Sequence, residues 1–496
     1  MNSLRTITAL AAAALVAGCA QENVGTPPPT ASFYFPTSVA AVESSTPGKP
    51  FLYVVSSNFD LRYSSGTVIA VDTSKLPEPP DGVLDKPSNP AVDPDKGYAL
   101  IDSFGGGIAT YSPASSQAKR LFVPTRAANK LYTLTAQGGQ LSCFPNAATE
   151  NGQDCLDQGL VLEDPKDSNI RTFDPFGVTV VGRTVYITHL HITDDPPLSG
   201  QNRQSYLASL DAENLSGLSF LPIGLAPAQG MAMTPNGLYL AGRALTSSSD
   251  QLSSQALRLL RPSCVDPIKI TDGTCANGIP DGTESDVDCG GTCSPCPAPK
   301  TCNASSDCVS GVCTDRKCAE CTVQDVGLTT AMHIYEARGV AASSDNARLF
   351  ATTRSPDGLL VVDISLDPIT GLPRNRELSF VSLPAGPAEL LVIPRPGLRD
   401  LVVVSCTTSN SVNIYDDELG APVGEIKGII EPFGMVRSTI PSQPNGARVY
   451  VASFGNYTVD VIDILDVDRP RGAKVVGQIG LGAHRPLGIE IPEGAK

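Results

Sequence analysis

The 496-residue chain contains no tryptophan, four histidines and five methionines. It is also poor in basic side chains, since Lys and Arg total 36 against 51 for Asp and Glu, a net charge of −15. An acidic balance of this size argues against a nucleic-acid partner, which requires a basic face. The hydrophobic content of 41% suffices for a packed core, so disorder over most of the length is excluded.

Several catalytic motifs and long apolar runs are also missing. The sequence has no Gly-rich phosphate loop, no Gly-x-Ser-x-Gly elbow and no His-Glu-x-x-His motif. Nothing after residue 18 resembles a transmembrane helix, and few stretches show helical periodicity. What remains is a turn-rich chain, with 45 Gly and 42 Pro, whose secondary structure must come from short strands.

The first eighteen residues look like a secretory signal. Arg5 is the lone charge, and the apolar segment 10–17 is too short to span a bilayer. The run Val-Ala-Gly-Cys that ends at Cys19 resembles the lipobox of bacterial lipoproteins, which implies cleavage before Cys19 and its acylation. The alternative is an ordinary signal peptide that ends near a cysteine. Residues 19–32 have the composition of a tether, and Ala20 and Gln21 lack the inner-membrane retention aspartate of that family, so the outer membrane is expected.

Fourteen cysteines indicate an exported, oxidising setting. Cys19 is assigned to lipid, and Cys406, inside an apolar strand, is expected to be a buried free thiol. The remaining twelve are expected to form disulfides, with Cys143 paired locally to Cys155 and the other connectivity left open. Those other ten are Cys264, Cys275, Cys289, Cys293, Cys296, Cys302, Cys308, Cys313, Cys318 and Cys321.

Seven pairs of strands can be laid over one another, each built on an aromatic or apolar anchor. The anchors are Tyr53, Phe122, Tyr186, Tyr239, Phe350, Val402 and Tyr450. They are spaced by 69, 64, 53, 111, 52 and 48 residues, and a repeat near fifty with several short strands is typical of a propeller blade. The outlier of 111 contains residues 264–321 and falls to 53 without those 58 residues. The sequence therefore predicts an insert that projects from the connection to the outer strand of blade 4.

A short apolar segment precedes most anchors and predicts the inner strand of a blade. These segments are PFGVTVV, AQGMAMT, ARGVAAS, PAELLVI and PFGMVRS. PTSVAAV near the start and RPLGIEI near the end have the same character, and one of them is expected to complete the first blade. We predict an all-β, seven-bladed β-propeller over residues 33–496, interrupted at 264–321 by a disulfide-rich insert with little regular structure.

The segments LYVVSSN and RVYVASFGNYTVDVID, together with the Pro-x-Gly starts, resemble the YVTN-type propeller family and its lactonase-like relatives. The resemblance covers most of residues 36–491 and implies a function among binding proteins, surface proteins and a few hydrolases. The absence of Trp argues against WD-repeat and quinoprotein dehydrogenase propellers, which rely on Trp at blade positions. The insert resembles a Cys-rich repeat of bacterial surface and secreted proteins.

Loops that enter the inner strand of a propeller blade, and loops that join its second and third strands, emerge on one face. Arg126, Arg243 and Arg354 each lie four residues after an anchor, so a shared register would aim them alike. Such a set of guanidiniums suits a carboxylate, a phosphate or a sulfated sugar. The candidate ligand-binding residues are Arg126, Arg243, Arg338, Arg354, His484 and Arg485. The alternative is that each Arg pairs with a nearby acid, such as Asp174, Glu336, Glu389 or Glu431.

The four histidines fall in the same set of loops. His189 and His191 form a His-x-His pair, and Glu336 would add a carboxylate near His333, so these four are candidates for metal binding or general-base catalysis. Solvated loop histidines are the alternative, and we assign no metal and no catalytic residue. In five of the seven strand pairs, an Asp lies at or near the end of the second strand of the pair, where turn capping is expected. These residues are Asp72, Asp211, Asp363, Asp416 and Asp463.

The insert offers two further patterns. Cys289, Cys293 and Cys296 have zinc-like spacing, but ten clustered cysteines in an exported chain favour disulfides. An acidic group just before them would suit Ca²⁺, although Gly290 is misplaced for an EF-type loop. The group is Asp281, Glu284, Asp286 and Asp288. No other cofactor is expected.

These observations favour a cell-envelope lipoprotein, monomeric, that acts as a binding or scaffolding propeller. Its channel face would take an anionic small molecule, a glycan or a protein partner, and the lipid anchor would hold it at the membrane. The alternative is a lactonase-like hydrolase whose site lies over the central channel.

Overall fold

The computed structural model describes residues 25–84, 89–114, 116–145, 153–163, 172–190, 205–224, 226–246, 252–254, 256–265, 275, 277–326, 334–369 and 372–480. Cys19, His191, His333, His484 and Arg485 lie outside these residues, as do the signal and residues 19–24 of the tether. The predicted fold class is confirmed: seven antiparallel sheets form a seven-bladed β-propeller. Among the described residues no helix is long and apolar enough to cross a membrane.

The first three blades are contiguous in sequence and run from an inner strand at the channel to an outer strand at the rim. Blade 1 comprises Pro36–Val42, Phe51–Ser56, Gly66–Asp72 and Tyr98–Ile101. Blade 2 comprises Ala109–Tyr111, Lys119–Thr125 and Lys130–Gln137, with Gln140–Cys143 and Leu160–Val161 both paired to its third strand. Blade 3 comprises Pro175–Val181, Thr184–His189, Tyr206–Asp211 and Ser219–Pro222.

The later blades follow the same order. Blade 4 comprises Ala228–Thr234, Gly237–Gly242, Leu257–Leu260 and Gln324–Asp325. Blade 5 comprises Glu336–Ala342, Arg348–Arg354, Gly358–Asp363 and Arg376–Ser382. Blade 6 comprises Pro387–Arg395, Leu398–Cys406, Ser411–Asp416 and Ala421–Lys427. Blade 7 comprises Pro432–Ile440, Gln443–Ser453, Thr458–Ile464 and Lys474–Gly480.

The remaining elements are short. A pair of strands, Leu245–Thr246 and Leu252–Ser254, lies in a blade 4 loop, and Cys313–Thr314 pairs with Lys317–Cys318. One helical turn spans Pro262–Val265, and 3-10 turns span Thr73–Lys75, Leu156–Gln158 and Ser305–Asp307.

The second and third strands of each blade are the core of the fold. They are buried on both faces because each blade is covered by its neighbours, which is why they are nearly continuous runs of Val, Ile, Leu and Ala. The predicted anchors are buried between blades, and six of the seven are no more than 1% exposed, with Tyr186 at 4%. Burying large side chains of this kind, at roughly 1.5–3 kcal/mol each, is what stacks one blade on the next.

The inner strands approach one another so closely that several glycines there have no room for a side chain. A Cβ at Gly106 would lie 2.5 Å from the carbonyl oxygen of Phe176, and one at Gly177 would lie 2.0 Å from that of Gln229. Gly230 and Gly339 make the same kind of approach to the next blade. Hydroxyl groups add a second link between blades, since Thr352 donates to the Ala388 carbonyl at 2.6 Å.

The ring is closed by PTSVAAV, which forms the inner strand of blade 1 and packs against blade 7, while RPLGIEI lies outside the described residues. A second contact ties the ends of the ring together. The strand Gly82–Val83, from a loop of blade 1, pairs in parallel with the outer strand of blade 7. From the same loop, Glu78 contacts the buried Arg448 at 2.7 Å.

The cysteine-rich segment lies between the third strand of blade 4, which ends at Leu260, and its outer strand, which begins at Gln324. The disulfide Cys264–Cys321 closes the base of this segment. Four further disulfides lie beyond that base: Cys275–Cys293, Cys289–Cys296, Cys302–Cys313 and Cys308–Cys318. Cys143 pairs with Cys155 as expected, and Cys406 is free and buried. Disulfide-bonded cysteines form the interior of the segment, in place of an apolar core.

Turn capping is observed for four of the five recurring aspartates. Asp72 and Asp363, for example, each accept hydrogen bonds from the backbone N–H and the hydroxyl of a serine two residues on. Asp463 differs, because its two carboxylate oxygens receive the buried guanidinium of Arg448 at 2.7 and 2.8 Å. No backbone N–H donates to the Asp463 carboxylate in the described part of the chain, so the expectation of a cap is wrong there, and the carboxylate instead pairs with Arg448 on the adjacent strand.

The close approach at the channel predicts a strong effect of one methyl group. Gly177→Ala should destabilise the protein by about 1–3 kcal/mol, because the new Cβ overlaps the Gln229 carbonyl. Gly424→Ala is the control, because a Cβ at this outer-strand position would lie 3.8 Å from its nearest neighbour. It should change the free energy of unfolding by no more than about 0.5 kcal/mol. Thermal denaturation of the two variants checks this, and equal midpoints would contradict the packing described.

Candidate functional site

A cavity of about 520 Å³ opens over the channel on the face where the inner strands begin. A similar backbone contact in several blades builds its rim: the residue after the second strand donates its N–H to a carbonyl shortly before the inner strand. Arg126 donates to Phe104 in this way, Thr407 to Gly386 and Phe454 to Glu431. The lining residues are Thr37, Ser57, Phe59, Phe104, Gly105, Arg126, Phe176, Leu190, Arg338, Arg354, Thr407, Thr408, Asn410, Glu431, Phe433 and Phe454.

Three of the predicted arginines line this cavity together. Arg354 is held by the structure, because it donates to the carbonyls of Gly386 and Pro387 at 3.4 and 3.1 Å and to the Thr407 hydroxyl at 2.9 Å. Burial, and next the nearby charge of Arg338, lower the pKa of its guanidinium. A positive group held in this way is pre-organised to meet an anion.

Arg126 differs from the other arginines of the cavity. Its guanidinium lies over the ring of Phe104, 5.3 Å from the ring centre, and it makes no hydrogen bond or ion pair to a side chain within the described ranges. It is half-buried at the cavity wall. The described structure therefore leaves its five N–H donors for a ligand.

Arg338 and Arg243 are joined to the same acid. Glu336 forms an ion pair with Arg338 and lies 4.0 Å from Arg243, whose side chain is 63% exposed. These residues line a second cavity of about 350 Å³, which shares Arg126, Leu190 and Arg338 with the first. The alternative of pairing with an acid thus describes Arg338 and Arg243 but not Arg126 or Arg354.

One side of the cavity, next to Arg126, is aromatic. Phe59 meets Phe104 and Phe454 edge-on, with ring centres 5.8 and 5.4 Å apart, and Phe433 adds a ring 5.4 Å from Phe454. Phe59 is 52% exposed, which leaves about half of its surface open to a ligand. These rings come from blades 7, 1 and 2, whereas Arg338 and Arg354 come from blade 5.

Below this cavity the channel narrows, and two polar side chains that the sequence did not single out for a site lie there. Gln229 and Glu389 line a smaller cavity of about 200 Å³, which shares Thr37, Phe176 and Phe433 with the cavity above. Sequence reasoning treats Glu389 only as an ion-pair partner. A signal is nonetheless present in the repeats, because Glu389 stands in Pro-Ala-Glu where four other inner strands read Pro-x-Gly or Ala-x-Gly.

Of the four candidate histidines the structure describes only His189, which lies away from the cavity lining. His189 is 1% exposed, its Nδ1 lies 3.2 Å from the Tyr206 carbonyl, and it is absent from the cavity lining. Burial lowers its pKa to about 4. His191, His333 and His484 lie outside the described residues, as does Arg485.

The acidic group of the cysteine-rich segment is occupied by local hydrogen bonds. Asp288 accepts from the backbone N–H groups of Asn277 and Gly278 at 2.8 Å, and Asp286 accepts from that of Thr301 at 2.7 Å. Bonds from Thr301 and Val287 lower the pKa of Asp286. These carboxylates shape the loops around the disulfides, and calcium binding there stays a prediction.

The fold and cavity define the chain as a seven-bladed β-propeller with an amphipathic pocket over its channel. No known family model and no curated protein sequence matches it. Solved structures of similar shape include the dihydro-heme d1 dehydrogenase NirN (11% identity, TM-score 0.44, 90% of this chain and 69% of that one). Apo AztD from Citrobacter koseri is another, with 9% identity and a TM-score of 0.40 over 91% of this chain and 93% of that one. A third is a Bacteroides fragilis protein provisionally named a 6-phosphogluconolactonase, with 12% identity and a TM-score of 0.41 over 80% of this chain and 86% of that one.

The buried His189 predicts a specific pH dependence. Its folded pKa of about 4 lies below the unfolded value of 6.5, so the unfolded state binds the extra proton and stability falls as pH drops from about 6.5 to 4. His189→Gln should therefore lose less stability than the unsubstituted protein over this range. Melting temperatures measured from pH 7.5 to 4 test this, and parallel curves for the two proteins would refute it.

Proposed function

We propose that this protein is an envelope-located binding propeller for a small organic anion that carries a ring. The observation that supports this most directly is Arg126, a cation without a described acidic partner, placed beside an aromatic wall. Aromatic surfaces take the faces of aromatic or sugar rings, while guanidiniums take carboxylate, phosphate or sulfate. The pocket is thus divided into a half for the ring and a half for the charge.

The charges around the cavity favour an anion over a cation. Its described lining holds Arg126, Arg338 and Arg354 against a single acid, Glu431, whereas the whole chain carries −15. A local positive potential in an acidic protein concentrates anions at one place and repels them elsewhere. The resemblance to YVTN-type propellers, which include binding and surface proteins, agrees with this assignment.

The disulfides indicate an extracytoplasmic compartment. We further propose that Cys19 is lipidated and anchors the propeller at the outer membrane, with the cysteine-rich segment as a second contact surface. Cys19→Ser should move the protein from the membrane fraction to the soluble envelope fraction, while Asn23→Ser in the tether should not. Cell fractionation followed by immunoblotting measures this, and a Cys19→Ser protein that stays with the membrane would refute lipid anchoring.

Phenylacetate, which combines one carboxylate with one ring, is a suitable probe of the pocket, and phenylacetamide is its uncharged counterpart. The protein should bind phenylacetate, and Arg126→Gln should weaken that affinity about tenfold or more, because a charged hydrogen bond is worth roughly 1.5–3 kcal/mol. Phenylacetamide should bind weakly to both. Isothermal titration calorimetry gives these affinities. Glucuronate is the corresponding anion with a sugar ring, and methyl glucoside is its uncharged counterpart.

The matched control is Arg437→Gln, which removes an exposed arginine near the far end of the blade 7 inner strand. It changes the net charge by the same amount as Arg126→Gln, but it should leave the affinity for phenylacetate unchanged. If neither anion binds, or if both arginine variants weaken binding equally, the site assignment is wrong. Turnover of glucono-1,5-lactone would instead favour the hydrolase alternative.

A further inference from the structure

Glu389 occupies a position where most blades carry glycine. Five inner strands place Gly106, Gly177, Gly230, Gly339 and Gly434 against the backbone of the next blade. Blade 1 has Ser38 there, whose hydroxyl is used in the structure because it donates to the Gly106 carbonyl at 2.9 Å. Blade 6 has Glu389, the one ionisable side chain among these seven positions.

The Glu389 side chain faces the channel cavity. Only the backbone of this residue is tied to its own blade, since its N–H donates to the Ser405 hydroxyl at 3.0 Å and its carbonyl accepts from that hydroxyl at 3.3 Å. The carboxyl group lines the 200 Å³ cavity instead. Glycine or serine would satisfy the backbone here as in the other blades, so the carboxyl group is not required by the fold.

The surroundings of the carboxyl group are polar but incomplete. Gln229 lies between two charged groups, because its Oε1 accepts from Arg338 at 2.9 Å and its side chain lowers the pKa of the neighbouring Glu389 carboxyl. A carboxylate has about four acceptor positions, and among the described residues no side chain other than Gln229 is placed to donate to Glu389. Burial raises the pKa of Glu389, while the charge of Arg338 opposes that rise.

The two cavities adjoin, because Thr37, Phe176 and Phe433 line both. A ligand whose anion meets Arg126 and Arg354 would therefore direct its other end toward the channel. The upper cavity presents cations and the lower one presents an acceptor. A molecule that matches both must be negative at one end and must carry a hydrogen-bond donor at the other.

We propose that Glu389 and Gln229 form a second subsite that accepts a hydroxyl or ammonium group of the ligand whose anionic end binds the arginines above. This subsite deepens the proposed function and rests on it. The ligand is then a ring-bearing hydroxy acid or amino acid derivative, and a plain carboxylic acid occupies only the upper half of the site.

Three probes of one shape test the subsite: phenylacetate, 4-hydroxyphenylacetate and 4-(aminomethyl)phenylacetate. Each keeps the carboxylate and the ring, and the last two add a hydroxyl or an ammonium at the opposite end. The unsubstituted protein should bind at least one of these two about tenfold more tightly than phenylacetate, as expected for one hydrogen bond to a carboxylate. Which of the two gains affinity identifies the donor.

Glu389→Gln and Glu389→Gly should abolish that gain while leaving phenylacetate affinity unchanged. The glycine variant restores the residue that five blades carry, so it is expected to fold. Glu377→Gln is the matched control, because Glu377 also has a pKa raised by burial but lies in the outer strand of blade 5, and it should keep the gain.

The outcomes separate the two proposals. If phenylacetate binds through Arg126 but its substituted forms show no gain, or keep the gain in both Glu389 variants, the subsite is refuted and the anion pocket stands. If phenylacetate does not bind, or binds without regard to Arg126, the pocket itself is refuted and the subsite with it. A gain lost in both Glu389 variants and kept in Glu377→Gln supports the subsite.

Discussion

The close approach of seven inner strands around a narrow channel is the constraint on which the rest of this structure depends. At Gly177 and Gly230 the next blade's carbonyl oxygen lies where a Cβ would be. This packing fixes the direction in which each blade begins, and so the direction of every loop at the channel mouth. Side chains far apart in sequence, such as Arg126 and Arg354, therefore line one cavity. A position that must be glycine in most blades also makes a carboxylate at Glu389 conspicuous.

The repeat explains how a symmetric scaffold carries an asymmetric site. Equivalent positions at the blade starts hold Phe176, Gln229, Arg338 and Phe433, so each blade contributes a different chemistry at the same height. Blades 7, 1 and 2 supply rings, blade 5 supplies two guanidiniums and blade 2 supplies a third, that of Arg126. Because backbone contacts define these positions, the side chains can vary at small cost to the fold. Binding specificity is then a matter of which residue each blade presents.

The cysteine-rich segment shows a different way to obtain order. It leaves blade 4 after the third strand and returns at the outer strand, so the inner strands and the channel are untouched. Too small to bury an apolar core, it is held by disulfides and by carboxylates such as Asp286 and Asp288 that accept backbone N–H groups. An oxidising compartment is therefore a condition for this part of the fold.

The class of fold and its seven strand pairs could be predicted from the sequence. Those features are local, because spacing, alternation and turn residues act within one blade. The shared register also made Arg126, Arg243 and Arg354 candidates for one site, of which Arg126 and Arg354 line the cavity. Four features became apparent only in the folded chain. Phe59, Phe104 and Phe454 form one aromatic wall, and His189 is buried. Asp463 pairs with Arg448, and Glu389 faces the channel. Each of these depends on how one blade meets the next or on which way a side chain turns, and neither is encoded in a strand's own pattern.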